Sequence, residues 1–150
     1  MGATPVKMRS RGFTLVELLV VIALIAIASG LASLALRDPS ASRLEQEGAR
    51  LAALLESARA EARASGLAVR WETRVNDTAE YDFQFVGLPP SNELPQRWLA
   101  EGVTADIVGA RAVVLGPEPL IPAQRIVLSL DDRRLTLATD GLGPFEVAAQ

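Results

Sequence analysis

Residues 13–36 are apolar almost without interruption, and Glu17 is the one ionisable side chain among them. At about 1.5 Å per residue a helix through this run is about 36 Å long, enough to cross a hydrocarbon core of about 30 Å. The run therefore predicts a membrane-spanning helix. A breaker and cap cluster follows, Arg37-Asp38-Pro39-Ser40, where proline interrupts the helix and Ser40 or Ser42 caps its restart, so the chain bends rather than stops. From Ser42 to Ala64 the apolar positions Leu44, Leu51, Leu55, Ala58 and Ala62 recur at helical spacing. Arg43, Glu47, Arg50, Glu56, Arg59, Glu61 and Arg63 are placed mostly on other faces, and Gly66 ends the helix.

After Gly66 the period shortens from about 3.6 to 2. Leu67, Val69, Trp71 and Thr73 alternate with polar or small residues, and so do Tyr81, Phe83 and Phe85. Asn76-Asp77-Thr78 supplies the turn between them. Residues 87–109 contain Pro89, Pro90 and Pro95 around a short Gln96-Arg97-Trp98-Leu99 core and read as an irregular connection. Four further strands are expected at residues 112–115, 125–130, 134–139 and 145–147. Asp131-Asp132-Arg133 makes one tight turn, and Gly141 and Gly143 punctuate the last. Six short strands covered by one helix predict an α+β domain.

Composition narrows the chemistry. The chain has no histidine and no cysteine, so neither a nucleophilic triad nor a typical zinc site can be assembled, and no disulfide framework exists. The carboxylate pairs Asp131-Asp132 and Asp77 with Glu80 lack a calcium-loop spacing and read as solvated turn residues. Gly141-Leu142-Gly143 has no helix after it, so it is a hairpin turn rather than a phosphate loop. Trp71 and Trp98 read as core anchors. Of 15 basic residues 12 lie beyond Leu36, against 17 of 18 acids, which leaves that part about five charges negative with no footprint for nucleic acid. No cofactor and no metal are expected, and the chain reads as a non-enzyme.

A carboxylate within lipid costs on the order of 2.5–3.5 kcal/mol and needs a partner, so Glu17 is the first candidate functional residue. The residues before Phe13, Lys7-Met8-Arg9-Ser10-Arg11-Gly12, are short, basic and end in glycine, which holds them on the cytoplasmic side. An ordinary secretory signal has a shorter apolar run without an acid. The start of translation at Met1 or Met8 leaves a short basic leader in either case.

Gly12-Phe13-Thr14-Leu15-Val16-Glu17 resembles the processing site of type IV prepilins and of the pseudopilins of type II secretion. The resemblance implies that a membrane peptidase cuts between Gly12 and Phe13 and methylates the new amine of Phe13. It also implies that Glu17 pairs with the terminal amine of a neighbouring subunit during assembly. The fold it implies is pilin-like: a long N-terminal helix, transmembrane in its first half, packed against a small antiparallel β-domain. The corresponding organisation is a leader at 1–12, a transmembrane and filament-core helix at 13–36, the amphipathic half of the stem at 37–65 and a β-rich globular domain at 66–150.

Three segments of the β-rich part resemble the H-type minor pseudopilin: Phe83-Gln84-Phe85 with Gly87-Leu88, residues 94–99, and Asp140-Gly141-Leu142-Gly143-Pro144-Phe145-Glu146-Val147. That resemblance implies an inner-membrane subunit with its globular domain in the periplasm, at or near the tip of a short filament that exports folded proteins. The implied partners are other minor pseudopilins, the major pseudopilin, the prepilin peptidase and methyltransferase, and the inner-membrane assembly platform. A minor pilin of a type IV pilus shares the fold and N-terminus. Its DNA-binding kind would show clustered bases, whereas the tail at 145–150 has none, and Arg133-Arg134 and Arg70 with Arg74 are offset by Asp131, Asp132 and Glu72.

Overall fold

The computed structural model describes residues 13–35, 39–74 and 80–148, with side chains in the first helix described as far as residue 30. The expected leader, Arg37 and Asp38 of the expected bend and the Asn76-Asp77-Thr78 turn lie outside the described residues. The chain divides into two compact units, residues 1–37 and 38–150.

In the first unit, helix α1 runs Leu15–Ala35. Its leucines, isoleucines and valines leave no polar face to oppose an apolar one, as in helices that contact apolar surroundings on every side. Eleven large apolar side chains from Phe13 to Ile27 are exposed.

The second unit opens with α2, Pro39–Ser65. Proline suits a first helical turn, where its missing N–H has no partner to lose. Ser40 therefore lies within the helix and is not its cap; its hydroxyl donates to Asp131 Oδ2 at 2.7 Å instead. The helix stops at Gly66, whose φ of 67° is the left-handed conformation glycine adopts without a Cβ penalty.

Two antiparallel sheets follow. The first has the order β2-β1-β4, built from β1 Arg70–Thr73, β2 Phe83–Val86 and β4 Val113–Val114. The second has the order β3-β5-β6-β7, from β3 Thr104–Ile107, β5 Gln124–Leu130, β6 Arg133–Thr139 and β7 Glu146–Val147. The hairpin of β5 and β6 closes through Asp131-Asp132, with Leu130 opposite Arg133 and Asp131 at φ 54°. Both aspartates are exposed, as turn chemistry requires.

Helix α2 covers the second sheet. Leu44, Leu51, Leu55, Ala58 and Ala62 are buried against Ile126, Leu128, Leu135 and Leu137 of the alternating β5 and β6 faces. Gly48 permits the close approach, since a Cβ there would lie 2.7 Å from a methyl of Leu135. From the first sheet Phe83 packs at a tilt against Trp71 at 5.8 Å and Trp98 at 4.6 Å, so both tryptophans anchor the core.

The arrangement is α+β and pilin-like, a helical N-terminus followed by a second helix packed on antiparallel sheets. Besides the place of Ser40, four details differ from the expectation. Among the described residues there are seven strands rather than six, because β3 forms inside the supposed irregular connection at 87–109, where Val103, Ala105 and Ile107 alternate with Thr104 and Asp106. The alternation covers few residues and small Ala105 weakens it. The first strand begins at Arg70, and Leu67 before it is exposed. Leu99 is also exposed and belongs to no core. Finally, Glu47 and Arg59 are buried in the face that holds the leucines, at 1% and 2% exposure.

Candidate functional site

The N-terminus of α1 is set by Thr14. Its Oγ1 accepts the backbone N–H of Glu17 at 3.2 Å, while its carbonyl accepts Leu18 N at 3.1 Å and closes the first helical turn. Thr14-Leu15-Val16-Glu17 thus has the spacing of a capping box, with threonine at the cap and glutamate three residues on. Sequence reasoning passed over Thr14, although threonine followed three residues later by glutamate before an apolar run is a recognised helix start.

This turn fixes where the predicted residues lie. Phe13 precedes α1 and is 73% exposed, so its backbone is accessible immediately before the first turn. Glu17 is within that turn, exposed among Leu15, Val16, Leu18 and Leu19. Gly12 lies outside the described residues. Phe13 and Glu17 are therefore brought to one end of one helix, and a carboxylate there faces the positive end of the helix dipole.

The energetic problem is the apolar surface itself. Burying eleven large apolar side chains is worth about 15–30 kcal/mol at about 1.5–3 kcal/mol each, more than the whole net stability of a typical domain. Such a helix is stabilised by apolar surroundings. Among the described residues no helix is long and apolar enough to cross a membrane. The expected span at 13–36 has described side chains only as far as residue 30.

The second unit offers a different kind of built feature, in which charged side chains of α2 hold loops by their backbones. Arg59 donates from Nη1 to Gly143 O at 2.7 Å and from Nη2 to Gly141 O at 2.8 Å. Glu56, 3.6 Å from Arg59, accepts Phe145 N at 3.1 Å. Within the same loop Thr139 Oγ1 donates to Gly143 O, and Asp140 Oδ1 accepts the N–H groups of Leu142 and Gly143 at 2.9 and 2.8 Å. The Gly143 N–H, then the Leu142 N–H, hold the Asp140 carboxyl below its ordinary value.

One helical stretch earlier, Glu47 Oε1 accepts the N–H groups of Leu99 and Ala100, while Arg50 pairs with Glu47 at 3.3 Å and donates to Arg97 O at 3.1 Å. Glu61 accepts Asn92 Nδ2 at 2.6 Å, and Arg63 donates to Pro119 O at 3.0 Å. These residues order loops. Among the described residues no group of three or more His, Cys, Asp or Glu could hold a metal ion. Asp77 lies outside the described residues; Arg70 pairs weakly with Glu72 at 3.7 Å, an exposed contact.

Comparison with known proteins agrees with the N-terminal geometry. Residues 7–33 match the family model described as the prokaryotic N-terminal methylation motif. Neither the comparison with curated proteins nor that with solved structures gives a match. The motif spans Gly12, Phe13, the Thr14 cap, Glu17 and most of the apolar run, and it points to a membrane-anchored N-terminus. It supports a prepilin-like protein, of pilin or pseudopilin kind.

Proposed function

We propose that this chain is a minor pseudopilin of the type II secretion system, a structural subunit at or near the tip of a periplasmic pseudopilus that helps to export folded proteins. The observation that carries the reading is the exposed apolar helix α1 with one carboxylate, Glu17, in its first turn, preceded by the glycine and phenylalanine of a prepilin motif. In this reading the leader is removed after Gly12 and Phe13 is methylated. The helix spans the inner membrane with the second unit in the periplasm, and Glu17 is neutralised by the terminal amine of a neighbouring subunit. The partners are other minor pseudopilins, the major pseudopilin, the peptidase and methyltransferase, and the assembly platform. The chain catalyses nothing and binds neither cofactor nor nucleic acid; the energy for filament growth is supplied by other components.

The negative balance of the second unit and the base-free tail favour secretion over DNA uptake by a pilus. The test is a strain lacking this chain, assayed in parallel for secreted proteins and for pilus-dependent motility and DNA uptake. Folded exoproteins trapped in the periplasm with both pilus activities intact is the expected result. Normal secretion with lost motility or uptake would assign the chain to a type IV pilus.

A further inference from the structure

The hydrogen bond that starts α1 has a competitor within the chain. In an α-helix each N–H bonds to the carbonyl four residues back, and the first few N–H groups have no such partner. At the start of α1 the helical bond runs from Leu18 N to Thr14 O at 3.1 Å, while Glu17 N–H donates to Thr14 Oγ1 at 3.2 Å. A helix begun one residue earlier would give Glu17 N–H to the carbonyl of Phe13, and one begun two residues earlier would also give Val16 N–H to the carbonyl of Gly12. The Thr14 hydroxyl therefore competes with the Phe13 carbonyl for one donor. In this structure it holds that donor: α1 starts at Leu15, and Phe13 and Thr14 lie outside the helix, with Phe13 73% exposed.

Among residues 11–16, Thr14 alone carries a side-chain oxygen able to cap a helix. The next one toward the N-terminus belongs to Ser10. A helix capped there would hold Gly12 and Phe13 in its first turn, with the Gly12 carbonyl bonded to Val16 N–H. Removal of a leader after Gly12 is hydrolysis. Water adds to the Gly12 carbonyl carbon, the bond to the Phe13 nitrogen breaks, and that nitrogen takes the proton to become the new amine. A carbonyl engaged in a helix is not free to be polarised for that attack. Helical backbone also offers no row of donors and acceptors by which an enzyme could hold the chain extended.

We propose, on the prepilin reading of this chain, that Thr14 is a positioning residue for leader removal. Its hydroxyl caps α1 and so keeps the bond between Gly12 and Phe13 outside the helix, with the Gly12 carbonyl free for hydrolysis. Thr14 acts through the Glu17 N–H and not on the bond itself, and the Glu17 carboxylate has no part in this step. Any side chain that caps a helix then serves at position 14 whatever its shape, and one of the same shape without an oxygen does not.

The test follows loss of the leader from the full chain in its own cells by pulse-chase, with mass spectrometry of the product's N-terminus. Thr14→Val keeps the branched shape and removes the oxygen, whereas Thr14→Ser and Thr14→Asn restore a cap with side chains of other shapes. The expected result is cleavage about fivefold slower in Thr14→Val, the population shift that an ordinary cap makes, and within about twofold of the unaltered chain in Thr14→Ser and Thr14→Asn. Thr14→Val cleaved at the unaltered rate would overturn the inference. So would Thr14→Asn as slow as Thr14→Val, since the peptidase would then be reading the threonine side chain and not the helix start. A leader retained by the unaltered chain would remove the prepilin reading itself, and this inference with it. Because Thr14→Val could also slow cleavage by inserting poorly, the carbon-13 shifts of Phe13 are measured in the full chain in detergent, where no peptidase acts. They should move from non-helical to helical values in Thr14→Val and stay non-helical in Thr14→Asn. Non-helical values in Thr14→Val overturn the inference as well.

Discussion

Replacing Arg59 by methionine keeps an unbranched side chain of comparable length in the buried face of α2 and removes its guanidinium. Two charge-assisted hydrogen bonds are lost, to Gly141 O and Gly143 O, each worth about 1.5–3 kcal/mol. Gly143 O keeps the Thr139 hydroxyl, but Gly141 O loses the guanidinium that served it and Glu56 loses its cation. Arg59 is 2% exposed, so water does not replace what is removed. Breaking a buried charged network from one side costs about 3–5 kcal/mol, and a second unit of this size then loses roughly 10–20 °C in Tm. The assay is thermal unfolding of the full chain in detergent, followed by the near-ultraviolet circular dichroism of buried Trp71. Arg43→Met, on the exposed side of the same helix, is the control and should change stability by less than about 0.5 kcal/mol. If Arg59→Met melts within about 2 °C of Arg43→Met, the clasp on the 139–145 loop does not hold the domain together.

The loop makes two further predictions. Gly141→Ala should destabilise strongly and Gly143→Ala little, because Gly141 has φ 94° and a Cβ there would sit 2.0 Å from Ile121 O, whereas at Gly143 the nearest atom is 3.5 Å away; the backbone strain alone is about 1–3 kcal/mol, measurable by denaturant unfolding. Asp140 is held below 3.8 in the folded chain, so its contribution to stability is complete above about pH 4 and is lost as pH falls through the folded value. Urea midpoints taken from pH 6 down to pH 2.5 should show Asp140→Asn losing less stability than the unaltered chain, and parallel curves would contradict the assignment.

What could be read from the chain follows from how strongly each pattern repeats. The apolar run is long and nearly unbroken, the α2 stripe and the β5–β6 hairpin carry several periods, and the Asp131-Asp132 turn lies between strands of clear alternation. Glu47 and Arg59 were misplaced by chemistry rather than by spacing. Glu47 is three residues after Leu44 and four before Leu51, and Arg59 is four after Leu55 and three before Ala62, so both fall on the apolar face. Their charge argued for solvent, and what reverses it is a set of loop N–H and C=O groups distant in sequence. Such partners have no local signature. Strand β3 was legible only as three alternating residues between Gly102 and Gly109, and the prolines before it pulled the whole segment toward irregular structure.

At the N-terminus the methylation motif was legible through its resemblance to prepilins, and the capping role of Thr14 was the omission. The capping contact uses the Glu17 backbone N–H, so it gives Thr14 the local role in starting α1 and leaves the Glu17 carboxylate to the intermolecular one proposed for it. Substituting Glu17 by valine removes a charge and makes insertion into lipid more favourable, so a fall in assembly despite normal insertion is due to lost pairing.

The chain contains one lysine, Lys7, within the expected leader. A chain that begins at Phe13 therefore has a single amine, its own terminus, and this makes the pairing directly readable. The decisive measurement is treatment of intact membranes with a membrane-permeant carbodiimide, followed by mass spectrometry of amide-linked peptides. The account predicts a chain that begins at Phe13 and a linkage from its Glu17 carboxyl to the N-terminal amine of another subunit, lost in Glu17→Gln. A chain that retains Lys7, or assembled subunits in which Glu17 forms no such link, would contradict it.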